Sequence, residues 1–367
     1  MEEKKREEKP RYVGLDLGKR TYELAIVEQG GKVTMSNGKT FPSERQRLYK
    51  KLRAGDKVAV ESGNMAFIVA KEIAAAVAGC KVYVLNPGQL AVIYASMKKT
   101  DKQDALKLAH ILEDFNEQRL PVVAVPDAKT IQYRKLIANH RRASQSRNRD
   151  INLLHALFVS QGITTIVRKD LASAEKRQQA IKALSGLERQ EAEYLLQLLQ
   201  LCEQRLEELT KQRAEACAKD EVVERLQSVP GIGPLTALAF VAHVSAEQFE
   251  NAGQVSNYLG LVPRVYMSGQ IVKYGRITKR GNGYIRALLV QASWALVRSK
   301  EGGKLKERYE YMTHEKSKSK KKAIVAIARR MAEMLYVMMR DKTWYAKRPF
   351  IHNKADAEKL AEAAMCA

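Results

Sequence analysis

Four carboxylates in the first third of the chain stand where a divalent-cation site would need them. Asp16 lies near the end of the apolar run Tyr12-Val13-Gly14-Leu15-Asp16-Leu17-Gly18, and Glu61 closes Lys57-Val58-Ala59-Val60-Glu61. Asp101 and Asp104 open a helical pattern that runs on through Leu112. Three residues apart, those two share a helical face. Each acid alone has a plainer reading. Asp16 can cap the turn that follows it, Asp101 can be an N-cap, and acids in a first helical turn are favoured by the dipole. Together, two strand ends and one helix start deliver oxygen ligands suited to two hard cations about 4 Å apart. Carboxylates crowded that closely repel, and a bound divalent ion is their natural neutraliser.

The elements that must position these acids follow from periodicity. Val13, Leu15 and Leu17 alternate with Asp16 and the glycines, as in a strand, and Tyr22–Val27 reads as its hairpin partner. Lys32–Phe41 reads as a third strand and Ser43–Leu52 as a helix with Ser43 as N-cap. Strand Lys57–Glu61, an apolar helix Met65–Ala78 stopped by Gly79, and strand Lys81–Leu85 come next. Strands alternating with helices predict an α/β domain around a partly parallel sheet over residues 11–126, after a charged, disordered leader at 1–10.

Residues 127–225 contain no proline and read as a helical, coiled-coil region. Leu195, Leu199, Cys202, Leu206 and Leu209 follow a 4, 3, 4, 3 spacing, a seam that serves either an internal helical hairpin or self-association. Residues 226–348 read as a mostly α C-terminal domain, and 349–367 as a helical tail. Ser228-Val229-Pro230-Gly231-Ile232-Gly233-Pro234-Leu235 leads into an apolar helix. Gly231 and Gly233 there expose backbone N–H groups at a helix start, as a helix-hairpin-helix element does toward a phosphate; an ordinary tight turn is the alternative.

The chain has 367 residues and a net charge of +23, unevenly spread. Arg264–Arg348 holds 22 Lys+Arg against 6 Asp+Glu, and the rest of the chain nets only +7. Such a stripe suits nucleic acid. No apolar stretch reaches the length of a membrane span and no signal peptide is evident, which argues against a membrane partner. Cys80, Cys202, Cys217 and Cys366 form no Cys-x-x-Cys, and the six histidines show no ligand spacing. Reduced thiols in a cytoplasmic protein without zinc are expected.

Asp16 in Tyr-Val-Gly-Leu-Asp-Leu-Gly, Glu61 in Val-Glu-Ser-Gly and Asp101/Asp104 in Lys-Thr-Asp-Lys-Gln-Asp-Ala resemble the DEDD motif of one insertion-sequence transposase family. Ser228–Leu238, Tyr258–Arg264, Ser268-Gly269 and Thr278–Asn282 resemble, in order, the C-terminal domain of the same family. The resemblance spans about residues 11–345. It implies a RuvC- and RNase H-like N-terminal domain, a distinct transposase domain, and guidance by a bridge RNA. It also implies Mg²⁺ or Mn²⁺ on the four acids and Ser268 as the nucleophile of a covalent phosphoserine link. From the residues alone, a Ser before Gly is a turn residue. Family members often carry further serines just after the Ser-Gly pair; here Gln270-Ile271-Val272 follow, and Ser268 is the only serine between Ser256 and Ser293. Tyr266, Tyr274 and Thr278 are the competing hydroxyls.

The expected function is cutting and rejoining of donor and target DNA by a homo-oligomer, dimer or tetramer. Arg264, Lys273, Arg276, Lys279, Arg280 and the run Lys320-Lys321-Lys322 would hold phosphates. Two rivals stand beside it: a RuvC-like metal-dependent nuclease or resolvase that activates water with the same acids, and a non-enzymatic nucleic-acid-binding protein.

Overall fold

The computed structural model describes residues 10–63, 65–93, 100–269 and 271–346, with no side-chain detail at 91–93. It divides into two compact units, 1–127 and 128–367. Three sequence expectations fall outside the described residues: the leader up to residue 9, the tail at 349–367, and Cys366.

The first unit is a mixed five-stranded sheet. Its strands are β1 Tyr12–Leu17, β2 Thr21–Val27, β3 Val33–Lys39, β4 Lys57–Glu61 and β5 Lys81–Leu85, in the spatial order β3-β2-β1-β4-β5. β1, β2 and β3 are antiparallel neighbours, whereas β4 lies parallel to β1 and β5 parallel to β4. Helices α1 Pro42–Tyr49, α2 Ala66–Ala76, α3 Pro87–Ile93 and α4 Asp101–Asp114 complete the unit. Side-chain alternation divides the sheet into two apolar faces. Val13, Leu15, Leu24, Ile26 and Val58 pack with Leu48 and Tyr49 of α1 and with Val69 and Ile73 of α2. Ala25 and Val27 meet Ala105 and Ala109 of α4, and Ala59 meets Leu108, Ile111 and Leu112.

Two caps differ from expectation. α1 starts at Pro42 with Phe41 as N-cap, not at Ser43, because proline pre-sets the first helical φ. α4 is capped by Thr100, whose hydroxyl accepts from the Gln103 amide at 3.3 Å, leaving Asp101 as the first helical residue. At the N-terminal ends of β1 and β4, Arg11 grips the fully buried Asp56 with two bonds of 2.8 and 2.7 Å, and the Arg53 amide adds a third at 2.9 Å.

The second unit is mostly helical. α5 Ala128–Ser160 and α7 Gly186–Ala218 form a long hairpin, with α6 Ala174–Ala180 between them. Next come α8 Glu221–Gln227, α9 Pro234–Val241, α10 Ala252–Tyr258, a two-stranded ribbon of β6 Pro263–Ser268 and β7 Ile271–Ile277, α11 Gly283–Arg298, α12 Gly303–His314 and α13 Lys320–Arg340. One core joins Tyr133 and Ile137 of α5 to α8–α11 and α13, with Tyr336 and Phe240 fully buried in it. Leu195 and Leu199 of the seam are buried against Ile151, Leu154 and Phe158 of α5, and Leu209 is buried too, so that three of the five seam residues pack within the chain. Glu203 fastens the hairpin, bonded to Arg147 at 2.9 Å and to Arg177 at 2.6 Å. Among the described residues, no helix is long and apolar enough to cross a membrane.

Candidate active site and nucleic-acid interface

Backbone register places the four acids. Gly14 of β1 pairs with Ala59 of β4 and Leu15 with Val60, so Asp16 and Glu61 follow at the C-terminal ends of neighbouring parallel strands. Both lie two residues beyond positions covered by α4, hence on the α4 face. Gly14 is what lets the helix lie so close: a Cβ there would stand 1.8 Å from the Ala105 carbonyl oxygen. Asp101 and Asp104 occupy the turn of α4 just before that crossing, where the positive end of the helix dipole favours acids.

The β1–β2 register adds a residue the sequence reading passed over. Glu23 pairs directly with Asp16, and with Ala25 and Val27 of its own strand it lies on the α4 face. The signal was available in the alternation of Glu23, Ala25 and Val27 once the hairpin had been recognised.

The donor set is all carboxylate oxygen, which fits Mg²⁺ or Mn²⁺ rather than a soft metal. The side chains are not closed around an ion. Among the described residues no group of three or more His, Cys, Asp or Glu is gathered at metal-holding distance. Asp104 bonds Lys107 at 2.9 Å, and Glu61 is exposed. The acids thus share one face of one sheet and its covering helix, without forming a finished cage.

In the second unit, Ser268 ends β6. It pairs with Ile271, leaving two residues to close the hairpin, of which Gly269 has φ +58°. The ribbon projects with nearly every residue exposed, and its two faces differ. Ser268 shares one face with Tyr266 and with Lys273, the cross-strand partner of Tyr266. Arg264 belongs there too, because a Cβ on Gly275 would meet both the Tyr266 ring and the Arg264 side chain. Val265, Met267, Val272 and Tyr274 take the other face.

The root of the ribbon explains two of the motifs. Tyr258–Gly260 and Thr278–Asn282 interlock backbone to backbone: a Cβ on Gly260 would stand 2.3 Å from the Arg280 carbonyl oxygen, and one on Gly281 2.1 Å from that of Tyr258. The Thr278 amide donates to Val262 at 2.8 Å and that of Lys279 to Gly260 at 3.1 Å. Asn282 caps α11 through Tyr284 and lies 3.3 Å from Nε2 of His243. Nδ1 of His243 is 3.0 Å from the Ala239 carbonyl, which suits a neutral ring that donates from Nδ1 and accepts at Nε2. Burial holds this imidazole below its usual pKa.

Arg264, Lys273, Arg276, Lys279 and Arg280 are all exposed on or below the ribbon. Lys320, Lys321 and Lys322 are exposed in the first turn of α13, where cations oppose the helix dipole and an anion would relieve them. The two glycines of the α8–α9 turn do different things. Gly231, at φ +88°, is pressed against α11, where a Cβ would stand 2.4 Å from the Ala292 carbonyl oxygen. Gly233 is the N-cap of α9, with open space beside it.

The α/β unit bearing the acids and the helical unit with the basic ribbon are each matched by a transposase family model. A profile of DEDD transposases of the IS110 type, described simply as "Transposase", matches residues 13–161. A second, described as "Transposase IS116/IS110/IS902 family", matches residues 223–310. The chain is 28% identical to a probable family 20 transposase of Pseudomonas aeruginosa over 78% of its own length and 84% of the relative's. It is 25% identical to the transposase for insertion sequence element IS1328 of Yersinia enterocolitica, over 91% of this chain and 98% of that one. A shorter match, 33% identical over 37% of this chain and 38% of the other, is to the transposase for IS1111A of Coxiella burnetii. The chain belongs to the IS110/IS116/IS902 family of insertion-sequence transposases, enzymes that act on DNA.

Proposed function

We propose that this transposase cuts and rejoins donor and target DNA through a covalent bond between Ser268 and a DNA phosphate, under the guidance of a bridge RNA. The observation that carries the reading is the place of Ser268. It stands at the tip of an exposed ribbon, on the face that also bears Arg264, Tyr266 and Lys273. The Ser268 hydroxyl attacks phosphorus, forming the Oγ–P bond as the P–O bond to the neighbouring sugar breaks, and that sugar oxygen leaves with a proton. A sugar hydroxyl of the exchanged strand then reverses the reaction, so the phosphodiester energy is kept and no nucleotide is spent. Arg264 and Lys273 bind the flanking phosphates and balance the developing charge.

Asp16, Glu61, Asp101 and Asp104 would hold Mg²⁺ or Mn²⁺, whose charge when bound would offset that of a DNA phosphate. Glu23, the cross-strand neighbour of Asp16 on the same face, would add a further oxygen donor. We read the β3-β2-β1-β4-β5 sheet as the RuvC- and RNase H-like layer, the α8–α9 turn as a helix-hairpin-helix grip on a phosphate through Gly233, and the α5/α7 hairpin as the coiled coil. Lysine and arginine contacts to phosphate carry no sequence information, so target choice falls to base pairing with the RNA. Two DNA partners call for a dimer or tetramer.

Incubating the protein with Mg²⁺ and DNA spanning the ends of its element tests the reading. A DNA band retarded on a denaturing gel, shifted by protease and mapped by mass spectrometry to the Ser268 peptide, is expected. Free nicked DNA with no adduct would favour a water-activating nuclease instead.

A further inference from the structure

The first face of the ribbon mixes Arg264, Ser268 and Lys273 with exposed Tyr266 and Ile271, whereas the second carries no charge among its cross-strand pairs Val265–Tyr274 and Met267–Val272. Val265, Met267, Val272 and Tyr274 stand on it 52%, 70%, 44% and 72% exposed. An isolated two-stranded hairpin is marginal in water, and four apolar side chains left in solvent make it more so. A face of this kind suits a partner, and charge favours one class of partner over another. Residues 263–282 hold five Lys+Arg and no Asp or Glu. A second copy of the ribbon laid on this face would bring Arg276 and its neighbours against their own like charges. A polyanion with flat apolar surfaces meets both features at once.

We propose that Tyr274 and Met267 form a wedge that stacks on unpaired DNA bases beside the cut. Strands about to be exchanged must leave their old partners, and each unpaired base exposes a ring face. Aromatic and thioether side chains cover such faces without regard to sequence, and apolar residues on basic scaffolds pry base steps apart. The two faces divide the labour. The Arg264/Tyr266/Ser268/Lys273 face takes the backbone, and the opposite face keeps the released base from re-pairing. This rests on the phosphate-side reading of Ser268, but its test does not need the chemistry.

The full-length protein is titrated into a single-stranded oligonucleotide containing 2-aminopurine between thymines, and into the duplex of the same sequence. Stacking quenches the single-strand fluorescence. Tyr274→Ala should abolish the quench and weaken single-strand binding on the order of tenfold, with duplex affinity unchanged. Tyr274→Phe should retain both, and Met267→Ala should lose part. Tyr274 is exposed, so melting should not move. Ser268→Ala should quench like the parent. An adduct on Ser268 without any quench overturns this inference alone, whereas a quench without an adduct supports the wedge and overturns only the nucleophile. Unchanged single-strand binding by Tyr274→Ala overturns the wedge. A fall in solution mass with binding intact also overturns it, by assigning the face to a protein contact.

Discussion

Replacing Gly14 with alanine tests how the acidic face is assembled. The new Cβ would stand 1.8 Å from the Ala105 carbonyl oxygen and 2.6 Å from the Ala109 amide nitrogen, both backbone atoms with no side chain to swing aside. Relief to a 3.0 Å contact requires α4 to retreat from β1 by about 1.2 Å. The retreat loosens the packing of Ala105 and Ala109 on Ala25 and Val27, and overpacking of this kind costs about 1–3 kcal/mol. It also carries Asp101 and Asp104 away from Asp16 and Glu61. A misplacement near 1 Å is worth about 100-fold in rate. Urea denaturation should therefore show a lower midpoint, and strand cleavage in Mg²⁺ should fall about 100-fold at temperatures where the variant remains folded. Gly88→Ala is the control, since its Cβ meets only the Asn86 side chain at 3.4 Å, and it should match the parent in both assays. Parental stability and cleavage by Gly14→Ala would refute the reasoning that α4 sets the acids.

Other substitutions probe separate parts of the molecule. Asp56→Ala leaves Arg11 without its two bonds at a buried site and should cost about 3–5 kcal/mol of unfolding free energy in calorimetry or urea titration. Leu199→Ala opens a cavity between α5 and α7; stability should drop by about 2–5 kcal/mol while mass in light scattering stays constant, and a fall in mass instead would place this part of the seam between subunits. Changing Lys320, Lys321 and Lys322 together to alanine should flatten the log–log salt dependence of DNA binding by about 2–3 units, equally for unrelated sequences, and an unchanged slope would make these lysines a solvated face.

The N-terminal layer was legible because its signals are local. Alternation marked β1, short β-rich or apolar runs marked β2, β3, β4 and β5, and their interleaving with helices pointed to a partly parallel sheet. Glu23 escaped because its role depends on register with Asp16, which no single strand reveals. Ser43 was misread as a cap because the proline before it decides where α1 begins. The ribbon was not anticipated as strands. Its apolar residues have no core to face, so Tyr-Met-Ser-Gly-Gln-Ile-Val reads as a loop until pairing with the partner strand is seen. Gly231 shows the converse: a glycine noted for its exposed amide is required by the close approach of α11. The seam residues were recognised, but the partner of Leu195 and Leu199 is α5, far off in sequence, and spacing alone does not name a partner.

The most direct measurement compares the parent with Ser268→Ala on a denaturing gel, using radiolabelled DNA that spans the element's ends, in Mg²⁺. Ser268 is exposed at the end of β6, so losing one oxygen should leave folding and DNA binding intact. The account predicts a protein-linked band from the parent and neither adduct nor nicked DNA from the variant. Nicking by Ser268→Ala at close to the parental rate, with no protein-linked band from the parent, would contradict it.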